Sequence, residues 1–283
     1  MQIISTIKTV QNELNSARNS GKKVGFVPTM GALHDGHAEL VRRARKDNDI
    51  VLVSIFVNPT QFNDASDLKN YPRTLDADKE VLEKAGCDIL FFPEVEEIYP
   101  EGTEQKDPEV DLGGLDLVME GKFRPGHFAG VVRVVKKLFD VSGECNAYFG
   151  QKDFQQLAII RRMVSELKLP VKIIGCETVR EKDGLAMSSR NMRLTEAERK
   201  VAPKIHVALL NAKNNWSKLS IEQIEAQVEK EIAAEPLLKI DYFEISDPET
   251  LAPLSGNSNG IAVGCIAVFL GKVRLIDNIL LHE

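Results

Sequence analysis

The sequence predicts an α/β protein, a doubly wound parallel sheet followed by a smaller C-terminal α+β domain. Three observations carry that prediction. Strand-like apolar runs alternate with amphipathic helical runs through residues 1–176, the pattern of a parallel sheet with its crossover helices. Residues 50–57, Ile-Val-Leu-Val-Ser-Ile-Phe-Val, are almost wholly apolar and β-branched, the mark of a central strand buried on both faces. Finally, the residues best suited to chemistry, at 30–37, 58–61 and 150–153, all follow such strands, and ligands bind a doubly wound sheet beyond the carboxyl ends of its strands.

Taken in order, residues 1–20 predict a short strand and a polar helix closed by Gly21. Residues 23–27 are a strand. A glycine-containing turn follows, and then a helix over 38–46 with Leu40, Val41 and Ala44 at helical spacing. The central strand 50–57 stops at Asn58-Pro59, because proline cannot donate to a ladder. Residues 63–70 predict a polar loop, 75–85 a helix closed by Gly86, and 88–92 a third strand. Residues 94–125 are rich in Gly, Pro and charge and predict an irregular insertion. A helix over 128–141, a short strand over 147–149, a helix over 154–167 and a strand over 171–174 complete the first domain.

The pattern changes near Glu177, so the boundary is set at 176/177. Residues 183–191 predict a loop. Thr195 with Glu198 matches a capping box and opens a long helix running toward Trp216; Ser220 with Gln223 opens another over 221–234. Residues 242–245, 261–269 and 273–276 then predict a small mixed sheet.

Composition narrows the function. At 283 residues and 43% hydrophobic, the chain has material for one large or two modest domains. Against 36 basic residues stand 42 acidic ones, a net charge of −6 that argues against a nucleic-acid surface. No apolar run reaches transmembrane length, and residues 1–19 lack the apolar block of a signal peptide, so the expected compartment is the cytoplasm. Cys87, Cys145, Cys176 and Cys265 lie far apart in or beside strand-like runs and predict reduced core thiols.

The chain is organised around Val27-Pro28-Thr29-Met30-Gly31-Ala32-Leu33-His34-Asp35-Gly36-His37. Unpaired N–H groups and the positive dipole at a helix start attract phosphate, and imidazoles there add donors. The pair could also be half a metal site or two surface histidines, but zinc would want a third ligand, only His127, His206 and His282 remain, and the glycine between the histidines and the helix directly after favour phosphate. Lys152 follows a strand and opens a helix, so it either neutralises a phosphate or is a solvated helix-start charge. Met187-Ser188-Ser189-Arg190 offers hydroxyls and a guanidinium to phosphate oxygens, or is a polar linker. Gln61 and Gln156 carry donor and acceptor together, which suits a small hydroxylated substrate. Arg124 and His127 could hold a carboxylate or merely cap the next helix.

Together these residues resemble the pantothenate synthetases of the HxGH nucleotidyltransferase superfamily. Matching blocks are Pro28 through His37, Phe56-Val57-Asn58-Pro59 with Gln61-Phe62, Tyr71-Pro72-Arg73-Thr74, Arg124-Pro125-Gly126-His127-Phe128, Phe149 through Gln156, and 183–191. The resemblance implies a Rossmann-like catalytic domain and an ATP-dependent ligase that condenses pantoate with β-alanine through pantoyl adenylate, with magnesium, as a cytoplasmic homodimer. It implies an ATP site lined by Met30, Gly31, Ala32, Leu33, His34, Asp35, Gly36 and His37, with both histidines on the phosphates. Gly150, Gln151, Lys152, Asp153, Val179, Met187, Ser188, Ser189 and Arg190 would complete it. Gln61 and Gln156 would bind pantoate, and Gln61 would also face β-alanine. Two departures stand out. Gln151 replaces the family's usual Glu, and Ala77 replaces the first of two adjacent acids, leaving Asp78 as the candidate magnesium ligand.

The chemistry fits those residue types. A carboxylate attacking an α-phosphate approaches another anion, and His34, His37 and Lys152 would offset that repulsion. Arg124 or His127 would meet the carboxylate of β-alanine. The adenylate must be kept from water, which makes residues 63–70 and the second domain candidate lids. The competing expectations are an adenylyltransferase for another acid, a non-catalytic nucleotide sensor, and a metal hydrolase using His34, His37 and His127.

Overall fold

The computed structural model describes residues 1–62, 68–103, 108–257 and 259–282. Residues 63–67 of the expected lid loop and 104–107 of the expected insertion therefore lie outside the described residues. The chain divides into two compact units, Met1–Gln151 with Gln156–Glu177, and Lys152–Gln155 with Thr178–Glu283.

The first unit is built on six strands: β1 (Gln2–Ile4), β2 (Val24–Thr29), β3 (Ile50–Ile55), β4 (Ile89–Phe91), β5 (Cys145–Gly150) and β6 (Val171–Cys176). They lie in the order β1-β4-β3-β2-β5-β6, and each neighbouring pair is parallel. This is the doubly wound, Rossmann-like arrangement. From β2 the chain moves outward to β3 and β4, then returns to lay β5 and β6 on the other side. The order reverses between β2 and β5. Those two strands pair only at Gly25 with Asn146 and Phe26 with Ala147, so the ladder stops well before their carboxyl ends at Thr29 and Gly150. A crevice at that reversal is where such sheets take ligands.

Packing explains why these strands stay central. Val51, Leu52, Val53 and Ser54 are buried, as expected for a strand covered on both faces. On one face the helix Asp35–Asp47 lays Ala38, Val41 and Ala44 against Val27, Val53 and Leu90; on another lies the helix His127–Ser142, whose Phe139 meets Phe26 and Phe149 edge-on, both at 6.3 Å. Full burial of each such Val, Leu or Phe side chain contributes about 1.5–3 kcal/mol. Among its described residues, the expected insertion at 94–125 contains two short helices, Val95–Ile98 and Met119–Phe123.

In the second unit the helices Lys204–Asn215 and Ile221–Ala233 pack on strands β7 (Leu238–Ser246), β8 (Ala262–Leu270) and β9 (Val273–Leu281). Both predicted capping boxes form. Two expectations are corrected. The long helix from Thr195 is broken: Glu196–Val201 ends, and Pro203, which has no N–H to continue the ladder, caps a new helix at Lys204. The sheet is antiparallel throughout, not mixed. Only Gly271 (φ +55°) and Lys272 separate β8 from β9, and so short a turn permits only a hairpin.

The four cysteines are free thiols. Burial pushes Cys87 up to about 12 and Cys145 and Cys176 to about 11, leaving little thiolate at neutral pH.

Candidate functional site

In the turn between β2 and the helix Asp35–Asp47, the N–H groups of Gly31, Ala32, Leu33, His34, Gly36 and His37 already have partners within the protein. His34 is the N-cap of that helix, and its Nδ1 accepts from the Gly36 N–H at 3.1 Å; His37 Nδ1 accepts from the His34 N–H at 3.3 Å. The His37 N–H bonds the His34 carbonyl at 2.8 Å, and Gly31 N–H reaches Thr29 Oγ1 at 3.3 Å. Those of Ala32 and Leu33 go to the carboxylate of Asp78, at 3.1 and 2.8 Å. The sequence-based expectation of a backbone phosphate cradle is therefore revised for these six N–H groups, which the turn itself and Asp78 have already taken.

What replaces the cradle is the imidazole pair. The rings lie 4.1 Å apart at 40°. A backbone N–H donating into each Nδ1 places the ring proton on Nε2. Each ring thus offers an Nε2–H donor, suited to an anion. A metal would need that nitrogen's lone pair, so the same hydrogen bonds disfavour the metal-hydrolase alternative.

A second group gathers where β3 ends. Asn58 and Tyr99 are both buried; Tyr99 donates to Asn58 Oδ1 at 2.8 Å, and Asn58 Nδ2 donates to Gln61 Oε1 at 3.2 Å. The Gln61 amide also reaches Met30 Sδ at 2.9 Å, tying the end of β3 to the end of β2. His127 Nδ1 donates to the Gln61 carbonyl at 2.9 Å, and Arg124 donates to His127 Nε2 at 3.1 Å. Gly130 then lets the helix approach the turn Pro59–Gln61, and its carbonyl accepts from Asn58 at 3.1 Å. So Met30, Gln61, His127 and Arg124 come together. Gln156 lies half-buried in the first turn of the helix Phe154–Glu166.

The second unit holds the remaining candidates. Val179 accepts from the Met187 N–H at 3.0 Å, and Arg180 faces Ala186 in an antiparallel bridge. Ser188 Oγ caps the 3₁₀ turn Ser189–Arg193 by accepting from the Arg190 N–H. The Arg180 guanidinium meets Asp277 on β9 as a fork, at 2.6 and 3.0 Å, and the neighbouring Asn278 donates to the Lys152 carbonyl at 2.8 Å. One strand therefore anchors both the 179–187 hairpin and the backbone of Lys152. A small cavity there is lined by Lys152, Ser188, Asn191 and Asp277 among others.

Tyr99, Gly130, Arg180, Asp277 and Asn278 were not singled out in the sequence, and Asn58 only as part of the 58–61 stretch, with no role of its own. A faint signal existed for Asp277 and Asn278, adjacent polar residues in an otherwise apolar strand.

The residues do not fit a protein-held magnesium. Among the described residues, no group of three or more His, Cys, Asp or Glu is placed to hold a metal ion. Asp78 is 2% exposed, and its oxygens already receive Ala32, Leu33 and the Thr74 hydroxyl.

A doubly wound sheet whose order-reversal point carries paired imidazole donors defines a nucleotide-handling α/β enzyme. The chain belongs to the pantoate-beta-alanine ligase family, whose model matches residues 2–280. It is 53% identical over 281 residues to a pantothenate synthetase of Phocaeicola vulgatus, covering 99% of each chain, and 51% identical over 284 residues to that of Bacteroides fragilis, covering both fully. A crystal structure of pantothenate synthetase from Thermus thermophilus superimposes with a TM-score of 0.92 at 44% identity, covering both chains fully. A pantoate-beta-alanine ligase from Francisella tularensis, complexed with beta-gamma ATP and beta-alanine, matches with a TM-score of 0.81 at 38% identity over 99% of this chain and 97% of that one. No helix among the described residues is long and apolar enough to cross a membrane.

Proposed function

We propose that this enzyme condenses pantoate with β-alanine at the expense of ATP, by way of pantoyl adenylate. A pantoate carboxylate oxygen bonds to the α-phosphorus and pyrophosphate leaves. The β-alanine amine then attacks the acyl carbon, loses a proton and expels AMP. The observation that carries this reading is the imidazole pair. Two Nε2–H donors, fixed by backbone N–H groups on their other nitrogens, suit negative charge growing on a phosphoryl group.

From the first unit, residues 30–37 with Gly150 and Gln151 contact ATP, His34 and His37 acting on its phosphates. Gln61 and Gln156 bind pantoate. Gln61 also faces β-alanine, whose carboxylate is met by Arg124 or His127. Arg124 already donates to His127, so the two act together. From the second unit, Lys152 is the catalytic ammonium, and Asp153, Val179, Met187, Ser188, Ser189 and Arg190 contact the nucleotide. Magnesium arrives on ATP, held by phosphate oxygens and water. The working organisation is a catalytic domain of residues 1–176 and a lid domain of 177–283, in a cytoplasmic homodimer.

The test is AMP formation from ATP that depends on both pantoate and β-alanine, with pantoyl adenylate accumulating when β-alanine is withheld. His37→Ala is expected to cost about 10²–10³-fold in rate, as for loss of a transition-state donor. Unchanged turnover would remove His37 from the mechanism, and AMP release without pantoate would point to a different acid substrate.

A further inference from the structure

The resemblance offers Asp78 as a magnesium ligand, and the structure gives it other work. The residue is 2% exposed and lies in the first turn of the helix Leu75–Ala85. Oδ2 accepts from the Ala32 N–H at 3.1 Å; Oδ1 accepts from the Leu33 N–H at 2.8 Å and the Thr74 hydroxyl at 3.1 Å. The turn it binds is an unusual one. Gly31 and Ala32 are both left-handed, at φ +82° and +51°, and the second is not a glycine. Left-handed turn conformations point successive N–H groups into one concavity, a nest that holds an anion. Here the anion belongs to the protein. The fit is close: a Cβ on Gly31 would stand 3.1 Å from Asp78 Oδ2 and 3.0 Å from Ile55 Cγ2.

We propose that Asp78 is the positioning residue of the two-histidine turn, and that it does not bind magnesium. By holding Ala32 and Leu33 in a conformation an alanine rarely adopts, it fixes the backbone immediately before His34. The direction of both Nε2–H donors depends on that backbone, because His34 caps the helix and His37 closes back on the His34 N–H. Its burial argues independently against a metal role: magnesium retains water and takes exposed carboxylate oxygens, whereas this carboxylate is closed in and shared among three donors. The inference rests on the reading of His34 and His37 given above.

Asp78→Asn keeps the size of the side chain but turns an amide N–H toward a backbone N–H. The first measurement is pantoyl adenylate formation in a single turnover, well below the melting temperature of each variant. Asp78→Asn is expected to slow this step by about 10²-fold, as for a small misplacement of catalytic groups, and Thr74→Val, which removes one of the three donors, by less. The magnesium concentration giving half-maximal rate stays within about twofold, and manganese does not restore the rate. Manganese titrated into the protein without nucleotide gives the same free-ion EPR signal for Asp78→Asn and the unsubstituted chain. Because Asp78 acts through the histidines, Asp78→Asn with His37→Ala is expected to be little slower than the slower single variant.

A magnesium requirement raised tenfold or more, or rescue by manganese, would overturn the proposal in favour of a ligand. A lowered melting temperature with an unchanged rate would overturn it in favour of a purely structural carboxylate. Fully multiplicative losses in the double variant would show that Asp78 does not act through His37. If His37→Ala alone had no effect while Asp78→Asn did, the functional reading would fail separately from the placement of Asp78. Should Asp78→Asn not fold, Thr74→Val carries the same comparison of rate, metal dependence and coupling to His37.

Discussion

Gly130 is the position where one methyl group should do the most measurable harm. It sits in the helix His127–Ser142, pressed onto the backbone of the turn that carries Gln61. A Cβ there would lie 2.3 Å from the Thr60 carbonyl oxygen, 2.7 Å from its carbon and 2.8 Å from Gln61 Cα. Non-bonded carbons settle at about 3.5–4.0 Å, so in Gly130→Ala the turn must retreat by about 1 Å. It has little slack, because Asn58 Oδ1 accepts from Thr60 and Tyr99, and Asn58 Nδ2 holds the Gly130 carbonyl. Retreat would carry Gln61 away from Met30 and from His127. A displacement of that size costs about 10²-fold in catalysis, and overpacking costs about 1–3 kcal/mol in stability. The assay is kcat/KM for pantoate by pyrophosphate release, beside a denaturant melt. The loss should appear in pantoate dependence and leave the KM for ATP nearly unchanged. Activity within about threefold of the unsubstituted enzyme, with an unshifted melt, would refute the claim that this helix sets the position of Gln61.

Three further outcomes follow from the geometry. Arg180→Ala strands the Asp277 carboxylate, whose side chain is 4% exposed, and should cost about 3–5 kcal/mol in chemical denaturation; Arg180→Ala with Asp277→Ala should recover part of that, and a double-variant loss equal to the sum of the two single losses would show the pair is not coupled. His206 is held below the ordinary histidine value, first by burial and then by the Arg180 charge, with Asp277 opposing. The folded chain therefore binds fewer protons there than the unfolded chain. Stability falls as pH drops from the ordinary value of about 6.5 toward the depressed one, and His206→Asn should flatten that part of the profile; an unchanged slope would remove His206 as its source. Lys152→Ala should slow adenylate formation far more than the β-alanine step, and equal slowing of both half-reactions would contradict the role proposed for it on the phosphates.

Much of the fold was legible because it follows from local patterns. The β-branched run at 50–57 could be stable only as a central strand, and the buried faces of β3 show why. The strand ends carrying 30–37, 58–61 and 150–153 were readable for the same reason, since parallel strands place all their carboxyl ends on one edge. Capping boxes at Thr195 and Ser220 are four-residue signals, and both form where those four residues place them. Local pattern fails where a distant or subtler constraint decides. Helical spacing runs on from Thr195 through Pro203, where the helix in fact breaks. Strands β7 and β9 extend beyond their most apolar residues because pairing with β8 sustains them.

By itself, then, the sequence determined the alternation of elements, the two-histidine turn and the set of polar side chains available for phosphoryl chemistry. Only tertiary structure decided where the N–H groups of Ala32 and Leu33 go. Asp78 is 45 and 46 positions from the groups it binds, so nothing local in residues 30–37 could reveal that the Ala32 and Leu33 N–H groups were already taken. The same holds for Tyr99 beneath Asn58 and for Asp277 facing Arg180, 41 and 97 positions apart. A hydrogen bond depends on distance in space, and over such separations distance along the chain carries no information about it until the sheet has formed.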